Sequence, residues 1–401
     1  MPISPRQYEV IIVGMGPAGA SAAYELSQRG ISVLAFDKQV HPRYKVCGGG
    51  LSARIAKILP ADFLSMVEET VHRVQFTYGA QKSFLIESSD PIAYMVMRQN
   101  FDQWLVDNAR KAGTAIHEGE TVVEIQNGED GVDVVTKHER YRSRVVIGAD
   151  GVMSVVAQQC FPGRSLRKIP ALESEVQGDR THPFQETPTA LISLQAAKKG
   201  YGWIFPKQHG LSLGVGEFAK GTKRPKQSFR DFIGHEPTLS GLKIPAPLGY
   251  PIPIASPHAY RNGQTWAGRL VRGRAMLVGD AGHLVDPLLG EGIYYAIRSG
   301  QLAAMSVVDM LSHPSKCPLS HYETLVANEF GQEFRVAGRL GKIIYGMPRS
   351  LHCWAGQRFP DAYQRVLCRY CEVLQGKESY QSLWNRILSR LHWPLAEKPS
   401  A

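Results

Sequence analysis

The stretch Tyr8-Glu-Val-Ile-Ile-Val-Gly-Met-Gly-Pro-Ala-Gly-Ala-Ser-Ala-Ala-Tyr-Glu-Leu26 decides the fold, because a buried strand, a glycine-rich turn and a helix follow one another within it. Val10–Val13 is an unbroken apolar run, which is typical of a strand buried on both faces. Glycines follow at G-x-G-x-x-G spacing, and the next helix points its N-terminal amides at the turn. The spacing predicts a site for a dinucleotide pyrophosphate, held by Gly14, Gly16, Ala18 and Gly19.

A second strand is predicted at 32–36 and ends at Asp37. This places a carboxylate about 20 residues beyond the turn, where it can bind a ribose hydroxyl. Three spaced glycines alone are weak evidence, but a strand before them, a helix after them and an acid at this distance make the fingerprint specific. The predicted fold class is therefore α/β, with a Rossmann-like dinucleotide-binding domain.

Length and composition indicate a soluble globular protein. The chain has 401 residues, 43% hydrophobic and 20% charged. It contains no apolar run of about 18 residues that would span a membrane. Tyr8 already lies in a strand, which leaves no room for a signal peptide, and the six cysteines lack the spacing of a disulfide framework. We therefore expect a cytoplasmic protein.

The net charge of +10 suggests an anionic partner. The basic residues are scattered and no nucleic-acid motif is present, so we expect no nucleic acid. Anionic lipid or a diphosphate substrate suits the charge. Residues 382–393 form an amphipathic segment, with Leu383, Trp384 and Ile387 opposite Arg386. Packing within the tail is one interpretation, and peripheral contact with a membrane surface is the one that we expect.

A second glycine-rich turn lies at His41-Pro-Arg-Tyr-Lys-Val-Cys-Gly-Gly-Gly-Leu-Ser52. Three consecutive glycines permit backbone conformations that are closed to other residues, and they let a flat ring lie against bare peptide. Cys47 begins this turn, and the nearby Arg43 and Lys45 are expected to make its sulfur more reactive. The alternative is a small buried cysteine beside a structural turn. The adjacent glycines favour the functional interpretation.

Arg98 and Asp150 each follow a predicted strand. Arg98 stands at the end of the strand at 94–98, where its planar guanidinium can reach a phosphate or a ring oxygen. A solvated surface arginine is the alternative. Asp150 and Gly151 follow an apolar strand and form another turn, in which an acid stands beside a glycine.

A further glycine-containing element lies at 274–300. Asp280 follows a strand at 275–278, at the edge where ligands bind in open α/β sheets. Gly290-Glu-Gly292 leads into a helix predicted at 293–311, whose free amides favour an electron-rich or anionic ring edge.

The segment Tyr201-Gly-Trp-Ile-Phe-Pro-Lys207 places three aromatic side chains on one face of a strand, and Gly214-Val-Gly216 follows it. Ordinary sheet packing would explain this pattern. An aromatic wall for a long apolar substrate would explain it equally well.

These patterns predict four regions of the chain. They are a dinucleotide-binding domain at 1–160 with a small β insertion at about 70–97, a mostly antiparallel β substrate domain at 161–265, a return to the first domain at 266–315, and a helical C-terminal region at 316–401.

Three separated elements, Gly14–Asp37, Asp150-Gly151 and Gly279–Gly292, together resemble flavoproteins of the p-hydroxybenzoate-hydroxylase-like superfamily. Within it, Tyr44-Lys-Val-Cys-Gly-Gly-Gly-Leu51 and Tyr201-x-Trp-x-Phe-Pro206 resemble the Cys-Gly-Gly turn and the substrate-pocket motif of the geranylgeranyl reductase family, as does Gly376–Tyr380 near the C-terminus. This resemblance implies bound FAD, with NADPH or reduced ferredoxin as electron donor. It also implies reduction of double bonds in geranylgeranyl diphosphate, geranylgeranyl chlorophyll or a geranylgeranylated lipid.

On this resemblance, the cofactor-binding residues are Gly14, Gly16, Ala18, Gly19, Asp37, Lys38, Cys47, Gly48, Gly49, Arg98, Val123, Asp150, Gly151, Asp280, Pro287, Gly290, Gly292 and Ile293. The substrate-binding residues are Tyr201, Trp203, Phe205 and Pro206, and no metal ligand is expected. Cys47 is the candidate proton donor, with a water chain as the alternative.

Two departures and two alternatives accompany the resemblance. The superfamily often carries an arginine just after the Asp-Gly turn, whereas Val155 and Val156 follow Ser154 here. No second G-x-G-x-x-G is present, so a nicotinamide donor is expected to bind transiently. The alternative functions are an FAD-dependent monooxygenase of an apolar or aromatic substrate and a non-catalytic, flavin-containing lipid-binding protein.

Overall fold

The computed structural model describes residues 6–78, 83–164, 167–178, 182–194, 196–197, 199–218, 224–255, 270–313 and 316–391. The strands are, in chain order, β1 (Arg6–Val13), β2 (Val33–Asp37), β3 (Gly50–Ser52), β4 (Val67–Val71), β5 (Arg73–Thr77), β6 (Ser83–Glu87), β7 (Ala93–Val96), β8 (Ala115–Glu118), β9 (Val122–Asn127), β10 (Val132–Thr136), β11 (Arg140–Gly148), β12 (Lys168–Gln177), β13 (Thr189–Leu194), β14 (Gly200–Lys207), β15 (Gly210–Glu217), β16 (Leu248–Pro253), β17 (Val271–Arg272) and β18 (Ala275–Leu277). The helices are α1 (Pro17–Ser27), α2 (Arg98–Lys111), α3 (Val155–Cys160), α4 (Pro183–Glu186), α5 (Pro225–His235), α6 (Ile293–Ser312), α7 (His321–Gly346), α8 (Arg349–Arg358), α9 (Pro360–Leu374) and α10 (Tyr380–Leu391).

The first sheet has the order β17-β18-β11-β1-β2-β8, and β9 and β10 extend it beside β11. Strand β1 lies between β2 and β11 and pairs with both in parallel. Its residues Val10, Ile11 and Ile12 have no exposed surface, as expected for the central strand of a sheet covered on both faces. The parallel sheet brings the ends of β1, β2, β11 and β18 to one edge, where ligands bind in such folds.

The second sheet has the order β16-β12-β15-β14-β13-β5-β6. Its pairings are antiparallel except for that between β13 and β5. A third, small sheet has the order β3-β7-β4. The predicted mixed α/β class with an antiparallel sheet and a helical C-terminal region is confirmed. The structure adds that β5 and β6, from the region before residue 97, pair into the second sheet.

The C-terminal helices pack on the second sheet. Tyr370, Cys371 and Leu383 share a buried cluster with Val74 and Phe76 of β5. This packing corrects the expectation for the amphipathic segment at 382–393: Leu383 is buried, and Trp384 and Ile387 pack against the same cluster. The apolar face of α10 is therefore covered by the protein itself. Within the described residues, no helix has the length and apolar character needed to cross a membrane.

Helix α1 is held by close packing against α2 and α6. A Cβ atom at Gly300 of α6 would lie only 2.3 Å from the backbone oxygen of Ala18 in α1. Since α1 and α6 both begin at the carboxyl edge of the first sheet, this contact sets the positions of two helix N-termini relative to each other.

We expect Gly300→Ala to lower the free energy of unfolding by roughly 1–3 kcal/mol, because the added methyl group forces α1 and α6 apart. Gly234→Ala in α5 is the matched control, since a Cβ atom there meets no atom within 4 Å. Alanine favours the helix over glycine, so the control should gain up to about 1 kcal/mol. Urea unfolding followed by circular dichroism measures both values. Equal effects of the two substitutions would show that the close helix contact does not matter.

Candidate functional site

A cavity of about 730 Å³ lies between the first and second sheets. Its lining comes from the turn after β1, the end of β2, residues 43–52, the turn after β11, the second sheet, residues 280–293 and α9. Most of the residues that the sequence singled out therefore meet in one space. The predicted residues on the lining are Gly14, Gly16, Ala18, Asp37, Lys38, Cys47, Gly48, Gly49, Arg98, Asp150, Gly151, Tyr201, Trp203, Phe205, Asp280, Gly290, Gly292 and Ile293.

Four predicted residues lie off the lining. Gly19 supports the first turn from behind, since a Cβ atom there would lie 1.9 Å from the Gly14 oxygen. The carbonyl oxygen of Val123 accepts a hydrogen bond from Gln159 Nε2 at 3.0 Å, and its neighbour Val122 lines the cavity instead. Pro287 and Pro206 contribute to the backbone around the site without reaching the cavity wall.

The first glycine turn forms an open cradle. Gly14 has φ +97°, and a Cβ atom there would lie 2.5 Å from the Ala149 oxygen, so only glycine fits. At Gly16 a Cβ atom would meet only Arg43 Nη2, at 3.6 Å. No side chain among the residues that the structure describes caps the N-terminus of α1. Its first amides therefore stay available for an anionic group in the cradle.

Asp37 joins the first turn to the end of β2. Its Oδ2 accepts a hydrogen bond from Met15 N at 2.8 Å, and its Oδ1 accepts one from Gln39 N at 2.9 Å. Each carboxylate oxygen keeps a further lone pair, so Asp37 can also bind a ribose hydroxyl from the cavity.

A buried cluster of two arginines and one carboxylate lies beside the cradle. Asp102 has no exposed surface and accepts two hydrogen bonds from Arg98, at 2.8 Å each. Arg43 Nη2 lies 3.1 Å from the same carboxylate, and Arg43 Nη1 is buried with no partner among the described residues. One carboxylate against two guanidiniums leaves positive charge on the cavity wall, which suits a phosphate group.

The sequence pattern gave Arg43 no predicted role beyond its place near Cys47. Its position six residues after Asp37 was a usable signal, because the end of β2 faces the same cradle. Arg98, predicted to reach a phosphate or a ring oxygen, is positioned by Asp102 through two parallel hydrogen bonds.

The loop before α6 forms another part of the wall. No side chain within the described ranges caps the N-terminus of this 20-residue helix, which begins after Gly292. Asp280 Oδ1 lies 3.6 Å from the position that a Cβ atom at Gly292 would take, and burial raises the pKa of Asp280. Glu291 also lines the cavity, and it accepts hydrogen bonds from Ser52 and Arg54, which anchors the loop. The arrangement leaves the α6 amides facing the cavity.

The Asp150-Gly151 turn has a structural role that the sequence did not show. Asp150 Oδ2 accepts hydrogen bonds from the backbone of Val155 at 2.6 Å and Val156 at 3.3 Å, so it holds the start of α3. Gly151 has φ +77° and faces Tyr250 across the cavity. The turn thus lies on the wall while its side chain stabilises the backbone behind it.

The two motifs that the sequence placed about 150 residues apart lie in contact. A Cβ atom at Gly48 would lie 2.9 Å from Trp203 Nε1, and one at Gly50 would lie 3.0 Å from the Phe205 ring. Gly49 has φ +65°, and a Cβ atom there would lie 2.2 Å from the Val96 oxygen. The Cys47 turn therefore packs bare backbone against the aromatic strand. Cys47 Sγ accepts a hydrogen bond from Gly49 N at 3.4 Å.

Strand register explains the spacing of the aromatic motif. Tyr201 pairs with Gly216, and Trp203 pairs with Gly214, across β14 and β15. A Cβ atom at Gly214 would lie 2.3 Å from the Trp203 ring, so the large ring lies over a residue without a side chain. Trp203 is buried, and its Nε1 has no partner within the described part of the chain. It offers a hydrogen-bond donor to a molecule in the cavity.

One end of the cavity is apolar. Three sheet strands, the small third sheet and α9 provide its walls, and the loop before α6 adds a leucine. Its residues, besides the aromatic motif, are Val74, Phe76, Ile92, Ala93, Met95, Ala190, Ile192, Leu289, Tyr370 and Leu374. The contribution of α9 was not predicted, because a buried aromatic on an amphipathic helix gives no indication of what it contacts.

Two buried ionisable residues near the Cys47 turn were also missed. Glu173 of β12 lines the cavity and accepts hydrogen bonds from the Tyr44 hydroxyl at 2.9 Å and from Ser212 Oγ at 3.2 Å. Burial raises the pKa of Glu173 to about 7. Lys207 Nζ donates to the Val96 oxygen at 2.7 Å, and burial lowers the pKa of Lys207 to about 8. Over the described ranges, no group of three or more His, Cys, Asp or Glu side chains could hold a metal ion.

Comparison with known proteins connects this geometry to a family. The sequence pattern of a family described as "FAD binding domain" matches residues 7–324. A geranylgeranyl diphosphate reductase of Rhodobacter capsulatus is 29% identical over 350 residues, which cover 82% of each chain. A menaquinone reductase of Mycolicibacterium smegmatis is 28% identical over 379 residues, 86% of each chain. These relatives confirm the resemblance to geranylgeranyl reductases.

A solved structure shows the same fold. It is a geranylgeranyl bacteriochlorophyll reductase-like protein from Thermoplasma acidophilum, with a TM-score of 0.76 and 21% identity. The match covers 96% of this chain and 100% of that one. The whole architecture, including the C-terminal helices, therefore has a counterpart of known structure.

The unpartnered Arg43 Nη1, the uncapped helices and the glycine cradle fit the diphosphate of FAD. We expect Arg43→Met to weaken FAD binding about tenfold or more, because a buried charged hydrogen bond contributes roughly 1.5–3 kcal/mol. Titration of the apoprotein with FAD, followed by flavin fluorescence, measures the affinity. Arg29→Met is the control, since Arg29 is an exposed arginine paired with Glu25 on α1. Unchanged affinity in the Arg43 variant would exclude it from the diphosphate site.

Glu173 gives the protein a specific pH dependence. The pKa of Glu173 is about 7 in the folded protein, above its ordinary value of 4.5. The protonated side chain therefore contributes its full stabilisation below about pH 4.5. This contribution is lost as the pH rises through about 7. We expect Glu173→Gln to gain about 2 kcal/mol in free energy of unfolding, relative to wild type, between about pH 5 and about pH 8.5. Urea unfolding of the FAD-loaded proteins measures this. The exposed Glu186→Gln is the control, and a pH-independent difference for Glu173→Gln would contradict the expectation.

Proposed function

The chain belongs to the FAD-binding domain family and is an FAD-dependent oxidoreductase, and we propose that it saturates double bonds of a geranylgeranyl chain. The supporting observation is the single cavity that joins a cationic, glycine-lined end to an apolar, aromatic end, with Cys47–Gly50 between them. The cationic end fits the diphosphate of the cofactor. The apolar end suits a long hydrocarbon chain, since apolar side chains form its walls.

The relatives support an isoprenoid substrate. One is named for geranylgeranyl diphosphate, another for menaquinone, and the solved structure is described as similar to a geranylgeranyl bacteriochlorophyll reductase. We propose geranylgeranyl diphosphate, geranylgeranyl chlorophyll or a geranylgeranylated lipid as substrate, with NADPH or reduced ferredoxin as donor. Because such substrates reside in lipid and the net charge is +10, we also propose peripheral association with a membrane.

The chemistry requires a dry site with electron-rich walls. When bound, reduced FAD supplies a hydride to one alkene carbon. An isolated alkene is not polarised by a carbonyl and does not accept hydride alone, so a proton must reach its less substituted carbon ahead of the hydride, and positive charge then develops on the more substituted carbon. Tyr201, Trp203 and Phe205 line the cavity and can stabilise that charge by about 1–2 kcal/mol per well-placed ring. The close packing of β14 against the Cys47 turn helps to exclude water.

Cys47 is our candidate for the proton donor, with a water chain as the alternative. Its basic neighbours in the sequence have other partners. Arg43 faces Asp102, and Lys45 Nζ lies 2.9 Å from the centre of the Tyr250 ring. Burial lowers the pKa of Lys45 to about 8. Cys47 remains our candidate because it lines the cavity at the start of the glycine turn.

The test is anaerobic incubation of dithionite-reduced protein with geranylgeranyl diphosphate and, separately, with geranylgeranyl chlorophyll. We expect flavin reoxidation to accompany a mass gain of two hydrogen atoms for each bond reduced. Mass spectrometry identifies the product. Reoxidation only in oxygen, with a hydroxylated product, would favour the monooxygenase. A flavin that neither substrate reoxidises would favour the lipid-binding protein.

Single-turnover measurements on the same reaction test Cys47. We expect Cys47→Ala to slow alkene reduction by about 100-fold or more, in the range for loss of a general acid, while FAD binding is retained. Cys317→Ser is the control, because Cys317 lies off the cavity lining. Wild-type rates in both Cys47→Ala and Cys47→Ser would assign the proton to water.

A further inference from the structure

Helices α8 and α9 present large apolar side chains to the outside. Trp354 is 54% exposed, Phe359 50%, Leu351 43% and Val366 41%. We call these four residues the docking face. Leu351 and Trp354 lie three residues apart on α8, and the Trp354 and Phe359 rings meet edge to face at 5.9 Å. Phe359 lies at the junction of α8 and α9, and Val366 is exposed in the second turn of α9.

The docking face is not used to hold the fold. The opposite side of α8 already packs against the protein: His352 bonds with the Ile344 oxygen at 2.8 Å and the Tyr363 hydroxyl at 2.9 Å. Gly356 lies against the Phe84 ring. Leu367 and Tyr370 bury the inner side of α9. Since those contacts are complete without the docking face, its exposed rings are available to another surface.

Charge indicates the kind of surface. Between residues 342 and 372 the sequence carries five basic residues and two acids, Asp361 and Glu372, and Glu372 pairs with Arg369 at 2.6 Å. The Arg358 guanidinium lies 5.1 Å from the centre of the Phe359 ring, at the edge of the docking face. Aromatic rings mixed with arginines suit the headgroup level of a bilayer, where rings enter the interface and cations contact lipid phosphates. A partner protein would not require this excess of positive charge.

Helix α9 relates the docking face to the cavity. Tyr370 and Leu374, in its last turns, line the apolar end of the cavity, and the exposed Val366 lies about one turn before Tyr370. Phe359 lies just before the first turn of α9, about 16 Å from Tyr370 along the helix. The buried apolar face of α10 makes no such surface, because Leu383 and its neighbours pack inside the protein.

We propose that the docking face binds the surface of a membrane containing anionic lipid. Delivery of substrate from the bilayer rests on the proposed function; membrane binding does not. The rings of Trp354 and Phe359 insert at the headgroup level, and the surrounding arginines pair with lipid phosphates.

The experiment uses the full FAD-loaded chain and two kinds of vesicle, phosphatidylcholine alone and phosphatidylcholine mixed with phosphatidylglycerol. We expect the wild type to sediment with the anionic vesicles at low salt. Trp354→Ser/Phe359→Ser should lower the partition coefficient about tenfold, and Arg358→Gln/Arg365→Gln should lower it on anionic vesicles only. Leu64→Ser/Met305→Ser is the matched control, with residues 50% and 41% exposed elsewhere.

Wild-type binding by Trp354→Ser/Phe359→Ser would overturn the proposal, as would failure of the wild type to bind either vesicle. Light scattering on the same samples detects self-association. A wild-type dimer that this variant abolishes, without vesicle binding, would assign the face to a second copy of the chain instead. Because vesicle binding is measured without substrate, a negative result leaves the proposed reductase activity to its own test.

Discussion

The structure depends on one close approach, between the backbone of Gly48–Gly50 and the aromatic residues of β14. A Cβ atom at any of these glycines would lie within about 3 Å of a ring, a carbonyl oxygen or the Lys207 amine. No other residue type has both the missing side chain and, at Gly49, the positive φ that this packing requires. The contact joins the small third sheet, which contains β3, to the second sheet at the cavity wall. It brings Cys47 to the point where the cationic and apolar ends meet.

The charged side chains around that contact are partly compensated by one another. Asp102 compensates for one of two arginines, and the remaining positive charge faces the glycine cradle. Two lysines near the contact, Lys45 and Lys207, have pKa values lowered to about 8 by burial, and Glu173 has one raised to about 7. In each case burial disfavours the charged form of the group, which is the direction expected for ionisable groups in a dry site. The result is a site that attracts a diphosphate at one end and accepts a hydrocarbon at the other.

The C-terminal helices have two faces with different partners. The inner side of α9 closes the apolar end of the cavity, whereas Leu351 and Trp354 of α8, Phe359 at the junction and Val366 of α9 stay exposed. An amphipathic helix usually has one apolar face, directed at the core. These exposed apolar residues therefore indicate a second surface to cover, outside the protein.

The sequence by itself determined the α/β class and the residues of the first turn, because the G-x-G-x-x-G spacing, the apolar strand and Asp37 are local features tied to one geometry. The identification of a flavin-dependent reductase likewise came from short motifs. The tertiary structure decided which distant residues share the cavity. Arg43, Glu173 and Tyr370 come from separate elements, and no local pattern shows that they meet. It also decided which amphipathic helix is free: α9 and α10 both have apolar residues at helical spacing, but only packing shows that α10 is covered by the core and that α9 is exposed on its outer side.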